Sequence, residues 1–119
     1  MYLGQELISG DESFQMVGAL PATTHMTKSI QGLGYVEAEV VRENPVAEMG
    51  KICGHEFHYS RMEVERDARF VYRLGRGKGI TEGWDGLLEH STLGGYLHAH
   101  FYTFKVDKFI QASEKYSRR

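Results

Sequence analysis

The stretch GLGYVEAEVVRE, Gly32–Glu43, interleaves two chemistries: Tyr35, Glu37 and Glu39 alternate with Val36, Ala38 and Val40. Successive side chains of a strand point to opposite faces. A period of two is therefore that of a half-buried strand, with valine and alanine turned inward. Beyond it, ENPV (Glu43–Val46) breaks the run, and KICGHEFHYSRMEVE (Lys51–Glu65) resumes extended character as a second long strand. ARFVYRLG (Ala68–Gly75), rich in aromatic and β-branched residues, predicts a third. GRGKGITEGWDG (Gly75–Gly86) has five glycines in twelve residues and predicts a turn or flexible loop. DGLLEHSTLGGYLHAHFYTF (Asp85–Phe104) supplies two more strands. KVDKFIQASEKYSRR (Lys105–Arg119) reads as an amphipathic helix, with Val106, Phe109, Ile110 and Ala112 or Ser113 on its inner face.

Upstream of the opening stretch, SFQMVGALPATTHM (Ser13–Met26) predicts a short strand entering an irregular segment around Pro21. MYLGQELI has apolar residues at positions 1, 3, 7 and 8 and reads as the end of a helix stopped by Gly10, with SGDES (Ser9–Ser13) as loop. That helix starts without a Ser, Thr, Asp or Asn cap, so its first-turn N–H groups lack a partner. A cut helix favours the second half of an α/β domain over a complete α+β domain. With no internal repeat and no dividing linker, residues 1–119 read as one domain of five to seven strands with a helix at each end.

The chain has 119 residues, 41% hydrophobic and 25% charged, the balance of a folded globular protein. A formal net charge of -2 provides no general attraction to nucleic acid or to an anionic membrane. The basic KYSRR tail reads as solvated. No apolar run approaches the roughly 18 residues of a membrane span, and the start lacks a signal-peptide layout. Cys53 is the single cysteine, so no intrachain disulfide is available and a reducing, cytoplasmic setting is expected.

The histidines concentrate in two places. GHEFHYS (Gly54–Ser60) carries His55 and His58, and GGYLHAHFYTF (Gly94–Phe104) carries His98 and His100. On a strand, Glu56, His58 and Ser60 share one face and His55, Phe57 and Tyr59 the other; Tyr96, His98, His100 and Tyr102 would likewise share a face. These are polar positions on an open sheet face, or metal ligands, or an acid–base centre. His-x-His is a metal-ligand spacing to which Glu56 or His58 would add a third donor, but it is common, and Thr103 and Phe104 stand where a further carboxylate would be expected. As a general base, a histidine needs a nucleophile. Cys53 sits within a predicted strand rather than at a helix N-terminus, and reads as a small buried hydrophobe.

GLGYVEAEVV, GHEFHYS and DGLLEHSTLGGYLHAHF together resemble the C-terminal glutamine amidotransferase domain of cobyrinic acid a,c-diamide synthases and of the related nickel-sirohydrochlorin a,c-diamide synthases. The likeness runs from Met1 to about Phe104. It implies an α/β fold, the β-rich C-terminal part of a class I, flavodoxin-like amidotransferase domain. In that family a nucleophilic cysteine in a Cys-Gly-Gly-Leu turn is followed directly by Met-Tyr-Leu and a helix, so the thiol and an ATP-dependent ligase domain are expected upstream of Met1.

By the same likeness His98 is the catalytic histidine, and Glu56, His58, Tyr59 and His100 are expected around the glutamine pocket. His100 stands where ordinary triad amidotransferases have a glutamate. The resemblance implies glutamine and a tetrapyrrole carboxylate as substrates, Mg-ATP in the parent enzyme, no cofactor or metal within this chain, and self-association of the isolated chain. The alternatives are a stand-alone binding or assembly module and a histidine-rich metal-binding β domain. His25 and His90 are expected at the surface.

Overall fold

A computed structural model describes all residues from Met1 to Arg119. Ten strands and one helix follow in order: β1 (Glu6–Ser9), β2 (Glu12–Gln15), β3 (Ala22–Met26), β4 (Gly32–Val40), β5 (Gly50–His58), β6 (Ser60–Val64), β7 (Arg69–Arg76), β8 (Trp84–Glu89), β9 (Thr92–Gly94), β10 (His98–Ala99) and α1 (Asp107–Ser117). They form a four-stranded sheet, β2-β1-β3-β6, and a six-stranded sheet, β10-β5-β4-β7-β8-β9. Only β1 and β3 run parallel; every other pair is antiparallel. The class is α/β, as the sequence implies. No helix is long and apolar enough to cross a membrane.

The alternation of Gly32–Val40 governs the larger sheet. Val36, Ala38 and Val40 of β4 are buried and join Ile52 of β5, Val71 and Leu74 of β7 and Leu88 of β8 in one apolar cluster. A smaller cluster of Leu20, Ala22, Ile80, Leu87 and Tyr96 ties the two sheets' strands together.

Two expectations about the elements change. Met1–Gln5 is not the end of a helix; it is turn and bend, and Glu6–Ser9 is extended. Backbone pairing decides this. Gln5 N–H donates to the Ala22 carbonyl (2.8 Å) and Leu20 N–H to the Leu3 carbonyl (2.8 Å), while β1 pairs with both β2 and β3. Gly10, at φ 60°, and Asp11 make the two-residue turn of the β1–β2 hairpin, so the glycine that looks like a helix stop is a hairpin turn.

The Lys51–Glu65 run is also two strands. β5 pairs with β4 and β10, whereas β6 pairs with β3 in the other sheet, and the chain crosses at Tyr59. Thr27 N–H to the Tyr59 carbonyl (2.8 Å) and Gln31 N–H to the His58 carbonyl (2.9 Å) hold that crossing. These divisions raise the strand count from the expected five to seven to ten.

α1 forms where its pattern predicts, but its apolar side is not an inner face. No residue of the helix is buried; Phe109 and Ile110 stay about half exposed, and Phe109 lies beside a groove bordered by Pro45 and Val46. A Lys108–Glu43 ion pair (2.6 Å) tethers its first turn.

Candidate functional site

β5 carries two constellations, one on each face. Glu56 and His58 point inward and are almost fully buried. Glu56 Oε1 accepts the Lys78 N–H (2.7 Å) and Oε2 accepts the Gly79 N–H (3.1 Å), so this carboxylate clamps the glycine-rich loop onto the sheet. His58 Nε2 lies 3.1 Å from the same Oε2, and His58 Nδ1 lies 2.9 Å from the Ser60 carbonyl. Both ring nitrogens thus face oxygen acceptors while Glu56 already takes two N–H groups. The two side chains and the loop N–H groups form one buried hydrogen-bonded unit. The Tyr96 ring stacks on His58 (centroids 3.6 Å apart, 7° between planes), and its hydroxyl pairs with Ser60 Oγ at 2.7 Å. Burial, and then the Asp85 and Glu56 charges, push the Tyr96 hydroxyl's pKa upward against the Ser60 hydrogen bond.

Asp85 of β8 completes the inner network. It is wholly buried; Oδ1 accepts the Tyr96 N–H (3.0 Å) and Oδ2 the Leu97 N–H (2.8 Å). Burial raises its pKa above the usual carboxylate value, opposed by the N–H groups of Tyr96, Leu97 and Gly86, with the Glu56 charge adding to the rise. These bonds pull the chain inward at Tyr96. Consequently Tyr96 does not share an open face with His98, as strict alternation through 96–102 would require. β10 is only His98–Ala99, and at His100 the chain turns, with Thr103 and Phe104 N–H groups returning to the His100 carbonyl.

The outer face of β5 is open. An open cleft of about 500 Å³ is lined by Tyr35, Cys53, Gly54, His55, His98, Ala99, His100 and Phe101. β10 pairs with β5 in the register His98↔His55. The two imidazoles meet edge to face, centroids 4.7 Å apart, with His98 Nδ1 3.2 Å from His55 Nε2. His100 N–H donates to the Cys53 carbonyl (2.8 Å), and His100 Nδ1 accepts the Tyr102 N–H (3.1 Å). Chemically the cleft offers an exposed imidazole that can take or return a proton, a second imidazole in hydrogen-bond contact with it, and a thiol on the same wall.

Of the residues expected at the site, His98 and His100 line this cleft. Glu56 and His58 lie on the opposite face of β5, within the buried network. Tyr59 sits at the crossing between sheets, exposed, with its ring edge-on to Phe57. Cys53 is not the buried hydrophobe that its residue type suggests; it is exposed in the cleft. The alternation that turns His55 and Phe57 outward turns Cys53 outward with them, while Ile52 goes to the core. His25 is partly buried and contacts Glu63 (3.2 Å), and His90 is exposed near Glu89 (3.6 Å). No three His, Cys, Asp or Glu side chains converge in a metal-holding arrangement. The sequence reading missed His55 and Asp85. His55 lay in the quoted motif, but its meeting with His98 depends on a strand register that no local pattern encodes.

The chain matches the CobB/CobQ-like glutamine amidotransferase domain over residues 1–106. It is 42% identical over 118 residues to a cobyrinate a,c-diamide synthase of Archaeoglobus fulgidus, covering 97% of this chain and 26% of that protein. A cobyrinate a,c-diamide synthase of Halobacterium salinarum is 40% identical over 114 residues, 94% of this chain and 26% of its own length. One from Caldanaerobacter subterraneus is 33% identical across 100% of this chain and 27% of its own. The chain thus spans about a quarter of the length of these relatives.

Proposed function

This chain belongs to the CobB/CobQ-like glutamine amidotransferase domain family, and from that premise we propose that it is the histidine-bearing portion of the glutaminase domain of a cobyrinate a,c-diamide synthase. In this reading a cysteine thiol from another part of the enzyme attacks the side-chain amide carbon of glutamine. The C–N bond breaks, ammonia leaves, and a thioester remains for water to hydrolyse. His98 takes the thiol's proton and returns it to the leaving nitrogen. The ammonia then displaces the activating group from an ATP-activated side-chain carboxylate of a tetrapyrrole, cobyrinate or Ni-sirohydrochlorin.

The observation that carries the reading is the placement of His98. It is exposed in an open cleft, yet held by pairing with β5 and by the Asp85 bonds just before it. In this proposal Mg-ATP is held outside this chain. The buried carboxylates Glu56 and Asp85 are already occupied by backbone N–H groups, and no cluster of acidic and imidazole groups converges elsewhere. ATP therefore belongs, in this proposal, to the ligase part of the enzyme.

The test uses the full-length enzyme with either glutamine or free ammonia as nitrogen donor. His98→Ala is expected to lower glutamine-dependent activity by about 10²–10⁴-fold, the usual cost of a lost general base, and to leave ammonia-dependent activity largely intact. Equal loss of both rates would overturn the assignment of His98. The isolated chain is expected to release no ammonia from glutamine. Because Cys53 shares the cleft with His98, turnover by the isolated chain that disappears in Cys53→Ala would assign the nucleophile to Cys53 instead.

A further inference from the structure

His98 needs more than exposure to act as a base: its ring must be fixed and its proton must be on the correct nitrogen. We propose that His55 is the positioning residue for His98, accepting the Nδ1 proton of His98 so that His98 Nε2 is left free to receive the proton of the attacking thiol. The inference rests on the glutaminase reading above and goes beyond it by naming the group that sets the tautomer of the base.

A neutral imidazole carries one proton, and the hydrogen bond made by one ring nitrogen determines which nitrogen holds it. His98 Nδ1 has one close nitrogen partner, His55 Nε2 at 3.2 Å, and the near-perpendicular rings (79°) suit a single N–H···N bond rather than stacking. With His98 as donor, its Nε2 lone pair is bare. When that nitrogen takes the thiol's proton, His98 becomes an imidazolium and its Nδ1–H stays bonded to the His55 lone pair. No further group has to move.

His100 does not supply this contact. Its Nδ1 accepts the Tyr102 N–H (3.1 Å), and its backbone carbonyl closes the turn that follows β10. The backbone is built for the His55 contact. Gly54 lies opposite Ala99, and a Cβ on Gly54 would overlap the His98 carbonyl oxygen, so β10 can approach β5 this closely only because residue 54 is glycine. The dipeptide Gly54–His55 therefore admits the strand and then meets its histidine.

The test uses the full-length enzyme carrying ¹⁵N-labelled histidine, with the His98 signals assigned by their loss in His98→Ala. In the wild type the proton of neutral His98 is expected on Nδ1; a proton on Nε2 would overturn the proposal whatever the variants do. His55→Leu is expected to lower glutamine-dependent kcat by about 10²-fold. That is less than the roughly 10⁴-fold cost of losing a buried anionic partner, since His55 carries no negative charge and is exposed. KM for glutamine should change by less than about twofold, ammonia-dependent activity should persist, and His98 should become a mixture of tautomers. His55→Gln, whose amide oxygen can reach the position of Nε2, is expected to restore about tenfold of the loss. If His98→Ala abolishes glutamine use while His55→Leu leaves kcat within twofold, the positioning role fails and the glutaminase reading stands. Retention of glutamine use by His98→Ala would sink the glutaminase reading itself.

Discussion

Residues 52 to 54 show how sharply neighbouring positions on β5 divide their tasks. Ile52 is buried, Cys53 is exposed, and Gly54 gives way to the backbone of β10. Ile52→Ala is expected to cost about 2–5 kcal/mol, the range for emptying an aliphatic core position. Cys53→Ala should change stability by less than about 0.5 kcal/mol, and in the isolated chain diluted well below ~1 µM, where it is monomeric, the native thiol should react with a thiol reagent as readily as after unfolding. Protection of that thiol in the folded monomer would contradict the open cleft. Gly54→Ala should cost about 1–3 kcal/mol through forced overlap, measurable by urea denaturation, and should separate His98 from His55. At this scale the sequence was informative about parity. The alternation that placed Glu56 and His58 inward and His55 outward is present in the residues. For Cys53 residue type points to burial, but the same period of two turns it outward.

At the scale of elements, the link between β8 and β10 is Asp85, and its titration should be visible. Its folded pKa is raised by burial above its ordinary value of 3.8, so the folded state holds the proton more tightly than the unfolded chain. The stability associated with that proton is fully present below the unfolded value and is lost as pH rises through the folded one. Asp85→Asn, which cannot ionise, lacks that slope. The stability of the wild type minus that of Asp85→Asn should therefore decline as pH rises from about 4. Parallel profiles would mean that the backbone N–H groups of Tyr96, Leu97 and Gly86 offset the burial in full. Elements with a strong local period, β4, β7 and α1, lay where the sequence predicts them. Those that depend on partners did not: β1 reads as helix until β2 and β3 pair with it, and β10 starts only at His98 because Asp85 turns Tyr96 inward, and ends at Ala99 because the chain turns at His100. A carboxylate at position 85 gives no sign in sequence that it will cap a segment eleven residues later.

The whole molecule is flatter than a closed domain of its length. Its radius of gyration is 14.5 Å, against about 13.5 Å expected for a compact chain of this size. The outer face of β4 and β5 explains part of this. Leu33 stands opposite Phe57 and Tyr35 opposite His55, and Leu33, Tyr35 and Phe57 are 67%, 73% and 51% exposed. Phe101 and Tyr102, just beyond β10, are more exposed still. Contiguous apolar area of this kind seldom stays uncovered on a monomer. In the full-length enzyme proposed above, other parts of the protein would cover it; in the isolated chain a second copy is the available cover. The isolated chain is therefore expected to self-associate, with light scattering giving a mass above that of one chain at ~100 µM, well over a dissociation constant of ~1 µM. Phe57→Lys should shift it toward the monomer without unfolding it, because that side chain points away from the core. Val36→Lys, inward on the neighbouring strand and only 1% exposed, should unfold the chain instead. A wild-type chain that scatters as a strict monomer at that concentration would show that this face tolerates water, and the isolated chain would then stand as an independent unit.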